Sequence, residues 1–308
     1  MPARKSIISE LPEPEIIDIR SLYGKIEESS LGMVCVLGPT ASGKTKFAVR
    51  LSRELSVLHG GEEPFCEIIS ADSRQVYRGM DIGTGKDLDE YGEIPYHLID
   101  IADAGSQYNV FRFKEDFEAA VADIRSRGKF PILCGGTGLY INAIARDYDF
   151  RSNIPLSEKR PDKIDAQNIR PGRVGMPEFQ QSGVGLPFPE NQGKSHRQPN
   201  PHSAEIYFIG TLVDRETRNA RIDARLDARL KEGMVEEVRG LLDSGVPESV
   251  LISYGLEYKF VTLYIKGELS YDGMREKLAT AIHQFAKRQM TWFRGMERSG
   301  VRIHWTEV

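Results

Sequence analysis

Apolar positions in this chain come in short, nearly continuous runs separated by stretches of helical periodicity. Met33 to Leu37, Phe65 to Ser70, Phe130 to Cys134 and Ile206-Tyr207-Phe208-Ile209 are such runs, and His97 to Ile101 is a shorter one. Runs of this length read as strands buried on both faces. Between them, Lys44 to about Leu58, Phe111 to Arg127 and Thr137 to Arg146 space their apolar residues as helices do, with Phe113, Phe117, Val121 and Ile124 on one face of the second. Strands alternating with helices predict a parallel sheet covered on both sides. Further along, a charged helix is expected from about Arg215 to Ser244, with Arg215, Arg218, Arg221, Arg225 and Arg229 sharing one face, and another from Tyr271 to Arg294. Residues 1–31, around Ile16-Ile17-Asp18-Ile19 and Leu22-Tyr23, read as a surface helix or extension.

The pattern stops near Tyr148. Residues 151–201 hold eight of the chain's 16 prolines and five glycines, a density that interrupts helix and strand alike. The expected organisation is therefore an extension (1–31), an α/β core (32–150), an irregular insert (151–204) and a mostly helical C-terminal part of the same catalytic domain (205–308). The 308 residues suffice for one large α/β domain with an insert.

Composition adds three constraints. No run reaches the roughly 18 apolar residues of a membrane span, and the N-terminus lacks the apolar core of a secretory signal, so a cytoplasmic protein is expected. The three cysteines, Cys35, Cys66 and Cys134, form no CxxC pair and sit in strand-like runs, as small core hydrophobes in a reducing compartment do. Formal net charge is −4, but the acid is concentrated early: residues 1–150 carry 17 Lys and Arg against 24 Asp and Glu, while residues 151–204 carry 8 against 5. A basic groove for a nucleic acid therefore remains open in the later part of the chain. His97, alone in an apolar run, reads as a satisfied core residue, and no His/Cys/Asp cluster has zinc-ligand spacing.

Three motifs carry candidate chemistry. Gly38-Pro39-Thr40-Ala41-Ser42-Gly43-Lys44-Thr45 fits G-x-x-x-x-G-K-[ST] and lies between a strand and a helix. Glycines let backbone N–H groups turn to an anion, the helix N-terminus adds partial positive charge, Lys44 adds a full one, and the Thr45 hydroxyl suits Mg²⁺. By itself this loop fits ATP-binding kinases as well as other pyrophosphate chemistry. Ile69-Ser70-Ala71-Asp72-Ser73-Arg74-Gln75-Val76-Tyr77 begins at a strand's carboxyl end, where open α/β sheets form their ligand crevice. Asp72 there is a candidate metal ligand, proton acceptor or plain turn residue. Cys134-Gly135-Gly136-Thr137-Gly138-Leu139-Tyr140 offers backbone donors and a hydroxyl at another strand end.

In combination these motifs, with Pro95–Ile101 (PYHLIDI), Asp214-Arg215 and Ala286-Lys287-Arg288-Gln289-Met290-Thr291-Trp292-Phe293-Arg294, resemble the tRNA dimethylallyltransferase (tRNA isopentenyltransferase) family over about two-thirds of the chain. The resemblance implies a P-loop NTPase-like parallel sheet flanked by helices. It implies that the P-loop residues Gly38, Thr40, Ala41, Ser42, Gly43, Lys44 and Thr45 hold dimethylallyl pyrophosphate with Mg²⁺, and that Arg215 adds charge. Asp72 is then the general base and Thr137 supports the reacting end. Ser73 and Gln75 lie near the adenine, and Lys287, Arg288, Gln289 and Arg294 lie on the acceptor side. Trp292 and Phe293 are expected in the core. The implied partner is the anticodon stem-loop of tRNA, with a free adenine nucleotide as the alternative acceptor; a monomer is expected. The chain departs from the family pattern in three places. The interval Asp147–Leu212 lacks an arginine-rich R-A-L-E-like helix, Gly255-Leu256-Glu257-Tyr258-Lys259 stands for a G-Y-K-E pattern, and His283 stands for an arginine.

Overall fold

The computed structural model describes residues 11–61, 63–146 and 205–308. The insert 151–204 and the missing R-A-L-E-like helix lie outside the described residues. Six strands form one sheet: β1 (Leu31–Leu37), β2 (Cys66–Ser70), β3 (Tyr96–His97), β4 (Phe130–Gly135), β5 (Glu205–Leu212) and β6 (Ile303–Glu307), in the order β3-β2-β4-β1-β5-β6. Every pairing is parallel.

β1, β2 and β4 are buried at every position, as strands covered on both faces must be. Their residues alternate between two cores. Val34, Val36, Cys66, Ile68, Phe130 and Ile132 pack with α1 (Ile19–Glu27) and α2 (Lys44–His59). Met33, Cys35, Leu37, Ile69 and Leu133 pack on the opposite face with α3 (Val110–Ser126), α4 (Gly138–Ala145) and α9 (Tyr271–Arg298). The three cysteines are free and buried in these layers. A third core joins α5 (Arg215–Glu232), α6 (Met234–Asp243), α7 (Glu248–Tyr254), α8 (Leu256–Ile265) and α9 to the segment Val76–Met80. Among the described residues no helix is long and apolar enough to cross a membrane.

The structure corrects two local readings. The helix expected from Arg215 to Ser244 is two helices, divided at Gly233, whose φ of 109° places it in the left-handed region where glycine ends a helix. Of the segment His97–Ile101 only His97 joins the sheet, together with Tyr96 in β3, because Leu98 (φ 62°) and Asp100 (φ 56°) turn out of extended geometry. The surface helix expected in the N-terminal region is α1, capped by the Asp18 carboxylate on the Ser21 N–H, with Leu22 entering the first core. His97 is satisfied as expected: its Nε2 lies 2.7 Å from Glu67 Oε2, and Arg127 holds the same carboxylate.

Candidate active site

The loops following β1, β2 and β4 meet at the carboxyl edge of the sheet. The first is the P-loop. Ala41 (φ 60°) and Gly43 (φ 79°) both take left-handed conformations, which turns successive N–H groups the same way. For alanine this costs on the order of 1 kcal/mol, strain of the kind that collects at binding sites. The loop is anchored from below: Ser42 Oγ, fully buried, lies 2.6 Å from Thr211 Oγ1 at the end of β5 and donates to the Pro39 carbonyl at 2.8 Å. Gly38 must lack a side chain, since a Cβ there would lie 2.3 Å from Thr211 Oγ1.

Lys44 Nζ donates to the Pro39 carbonyl at 2.8 Å, inside the cradle. Burial pulls its pKa down to about 8, against a raising effect from Asp72. Arg225, from α5, donates to Thr40 Oγ1 at 2.7 Å, and burial with Arg229 beside it lowers its pKa to about 10, so it stays cationic at neutral pH. Arg215, the first residue of α5, is exposed just past the end of β5, behind the Asp214 cap on the Thr217 N–H.

The second loop carries Asp72, half-buried. Its Oδ1 accepts the Arg74 N–H at 2.8 Å, which fixes the turn and leaves Oδ2 without a partner among the described residues. Thr137, in the third loop, accepts the Ser73 N–H on Oγ1 at 3.1 Å, so the Asp72 loop and the GGTG loop are tied side by side. Gly135 permits this approach: a Cβ there would lie 2.4 Å from the Ala71 carbonyl oxygen.

The other expected residues make the following contacts in the structure. Gln75 accepts from Ser70 Oγ and donates to the Gly85 carbonyl at 3.0 Å, bracing the loop that follows. Gln289 is buried between two loops. Lys287 and Arg288 are exposed on α9, Arg288 over the Phe285 ring, and Arg294 pairs with Glu297 at 2.9 Å. Phe293 is fully buried, and Trp292 is half-buried, packed on Gly138. His283, where the family pattern has arginine, lies 2.9 Å from Asp223 Oδ1.

Sequence reading overlooked three supports of the site. Arg229, 6% exposed, lies against Gly85 and pairs with Asp87 at 3.1 Å. Glu237 accepts the N–H groups of Asp81, Ile82 and Gly83 at 2.7, 2.7 and 3.0 Å and the Tyr258 hydroxyl at 2.7 Å. Glu257 is half-buried near Arg225 and Arg229, and desolvation raises its carboxyl pKa. The i, i+4 spacing of Arg225 and Arg229 was the only available signal for this cluster.

Among the described residues no group of three or more His, Cys, Asp or Glu side chains could hold a metal ion. The site instead offers the half-buried Thr45 hydroxyl beside the cradle. That donor set fits Mg²⁺, which commonly takes few protein ligands and completes its shell with substrate phosphate oxygens and water.

The arrangement is an anion cradle with two half-buried cations, next to a carboxylate and a hydroxyl on neighbouring strand ends. Comparison with known proteins agrees with it. The family model described as IPP transferase matches residues 75–174 and 176–296. A tRNA dimethylallyltransferase 1 of Porphyromonas gingivalis is 47% identical, over 90% of this chain and 94% of that protein. One of Parabacteroides distasonis is 47% identical over 91% and 93%. The crystal structure of a tRNA isopentenylpyrophosphate transferase from Bacillus halodurans superposes with a TM-score of 0.65 at 27% identity, covering 89% of each chain. The sheet, the cradle beside Asp72 and these likenesses have one common reading: the chain belongs to the IPP transferase family.

Proposed function

We propose that this protein is a tRNA dimethylallyltransferase. It transfers the dimethylallyl group of dimethylallyl pyrophosphate to the N6 amine of an adenine next to the anticodon of tRNA, releasing pyrophosphate. The observation that carries the reading is the juxtaposition, through the Thr137–Ser73 hydrogen bond and the β1–β4 pairing, of an anion cradle with a carboxylate one of whose oxygens has no partner among the described residues.

The chemistry follows from those parts. The allylic C–O bond breaks, its electron pair staying on the pyrophosphate, while the adenine N6 forms a bond to the same carbon and loses a proton to Asp72. Lys44, Arg225 and the P-loop N–H groups face the charge that grows on the leaving oxygen, the term on which electrostatic catalysis acts most strongly. Arg215, exposed at the mouth of β5, adds charge as the donor enters. Mg²⁺ would be held at the Thr45 hydroxyl and would supply further charge neutralisation when bound. Thr137 holds the Ser73 backbone and thereby the orientation of Asp72. A stacked adenine cannot reach a carboxylate inside such a crevice, so the acceptor base has to be flipped out of the RNA. Lys287 and Arg288, exposed on α9, are the phosphate contacts on that side. The protein acts in the cytoplasm as a monomer.

The test is a transfer assay with labelled dimethylallyl pyrophosphate and Mg²⁺, offering unmodified tRNA and, separately, AMP, ADP and ATP. Label in tRNA is expected, with binding that weakens steeply as salt rises. Label confined to a free nucleotide overturns the tRNA assignment, and phosphoryl transfer from ATP in place of prenyl transfer overturns the whole reading.

A further inference from the structure

Gln289 connects two loops that are far apart in sequence. Its Oε1 accepts the Thr40 backbone N–H at 2.8 Å, and its Nε2 donates to the Gly136 carbonyl at 2.8 Å. The side chain is 8% exposed, so water cannot readily replace either bond. The amide can adopt only one orientation, because a flipped one would set donor against donor and acceptor against acceptor. Nor is there slack around it. A Cβ on Gly136 would lie 2.5 Å from Nε2, and one on Gly138 would lie 2.3 Å from the Trp292 ring one turn further along α9.

The two bonded loops carry different halves of the reaction. Thr40 belongs to the donor cradle, and its hydroxyl holds Arg225. Gly136 precedes Thr137, which holds the Ser73 backbone beside Asp72. We propose that Gln289 is a positioning residue: by bridging the P-loop and the GGTG loop it sets the separation between the departing pyrophosphate and the general base, and it touches neither substrate. The inference rests on the prenyl-transfer reading given above. The Thr40 N–H is committed to this bridge.

A bridge of this kind should govern turnover more than affinity. Misplacement of reacting groups by about 1 Å can cost on the order of 100-fold in rate. The full-length protein and the variants Q289A, Q289M, Q289E, G136A and G136A/Q289A would be assayed for kcat and for KM of donor and tRNA from pH 6 to 8.5, with donor affinity measured separately by calorimetry. Q289A and Q289M are expected to lose roughly 30- to 100-fold in kcat with either KM changed by no more than about threefold. G136A, whose methyl displaces Nε2, should be as slow, and the double variant no slower than the single ones, because all three break the same bridge. In Q289E the carboxylate still accepts from Thr40 but opposes the Gly136 carbonyl; protonation restores the donor. Its deficit relative to wild type should therefore shrink as pH falls. Lys44 and Arg225 are present in both proteins, so their titration largely cancels in that ratio.

A Q289A kcat within about threefold of wild type overturns the proposal, as does a loss expressed wholly in donor KM. Should Q289A and Q289M fail to fold, the Q289E ratio decides, and a ratio independent of pH overturns it. Wild-type protein that fails to label tRNA removes the underlying reading, whereas wild-type turnover with unimpaired variants removes this inference alone.

Discussion

Replacing Asp72 with asparagine isolates the proton-transfer step. Oδ1 of Asp72 accepts the Arg74 N–H at 2.8 Å, and the amide oxygen of asparagine can accept it equally, so the turn and the volume survive. What disappears is the capacity to take a proton, together with one negative charge. General-base catalysis contributes about 10²- to 10⁴-fold. At about 1.36 kcal/mol per decade this is roughly 2.7 to 5.4 kcal/mol of barrier. The lost charge has a second effect, because Asp72 helps to hold up the pKa of Lys44, which stands at about 8. Without it the lysine loses its proton at lower pH, and donor binding weakens above neutrality. The assay is therefore a single turnover at about pH 6.5 with both substrates saturating, where Lys44 remains charged in either protein. A rate reduced about 10²- to 10⁴-fold, with donor affinity within about threefold of wild type, is expected. A rate within about tenfold of wild type refutes Asp72 as the base. An equal fall in donor affinity at that pH shows instead that the carboxylate holds the donor.

Three further outcomes follow from the same geometry. Lys44 is cationic below its pKa of about 8 and neutral above it, so kcat/KM for the donor should fall as pH rises through 8, approaching tenfold per pH unit; a profile flat to pH 10 contradicts the burial of the lysine. Glu237→Ala removes the acceptor for three backbone N–H groups and the Tyr258 hydroxyl, and should destabilise the fold by about 2–4 kcal/mol in denaturant titration, with an unchanged midpoint refuting the bond set. Lys86, 2% exposed, bonds the Tyr77 carbonyl and both Asp81 and Asp100, so Lys86→Met leaves two carboxylates facing each other. Because both carboxylates are partly solvated, the expected loss is about 2–3 kcal/mol, below that of a fully buried pair; a wild-type Tm would show that the lysine contributes nothing.

The sequence was most legible where burial is two-sided. β1, β2 and β4 announce themselves because a strand covered on both faces needs apolar residues throughout, and the P-loop because its strand, glycines and lysine are contiguous. Elsewhere, local pattern and tertiary demand diverge. The charged periodicity of α5 continues through Gly233 into α6, so the break is visible only in the backbone angle. α7 and α8 are seven and ten residues long, too short for a period to declare itself, and β6 mixes His, Thr and Glu with its apolar positions because it lies at the sheet's edge. At the site, Asp72, Thr137 and Lys44 were legible as motif residues, but Arg225 reaches Thr40 across 185 residues and Gln289 across 249. No local pattern encodes such contacts. Gln75, expected near the adenine, has its amide bonded to Ser70 and Gly85, a contact set by a loop whose course the sequence did not reveal.

The order of the strands explains why the two halves of the reaction meet where they do. The donor cradle hangs from β1 and is bolted to β5 through Ser42 and Thr211, while the base and its support hang from β2 and β4 and are pressed together at Ala71 and Gly135. In the sheet these pairs are adjacent, β2-β4-β1-β5, so the seam between them is the β1–β4 pairing. Backbone pairing fixes that seam only as far as the strands run, to Leu37 opposite Gly135. Beyond it a side chain from α9 spans the two loops, through an amide whose donor and acceptor each match one side. A helix some 250 residues distant in sequence from the P-loop thus controls the geometry at the point where a shift of an ångström matters most. The rigidity of each half follows from its strand pair, and the relation between the halves follows from Gln289.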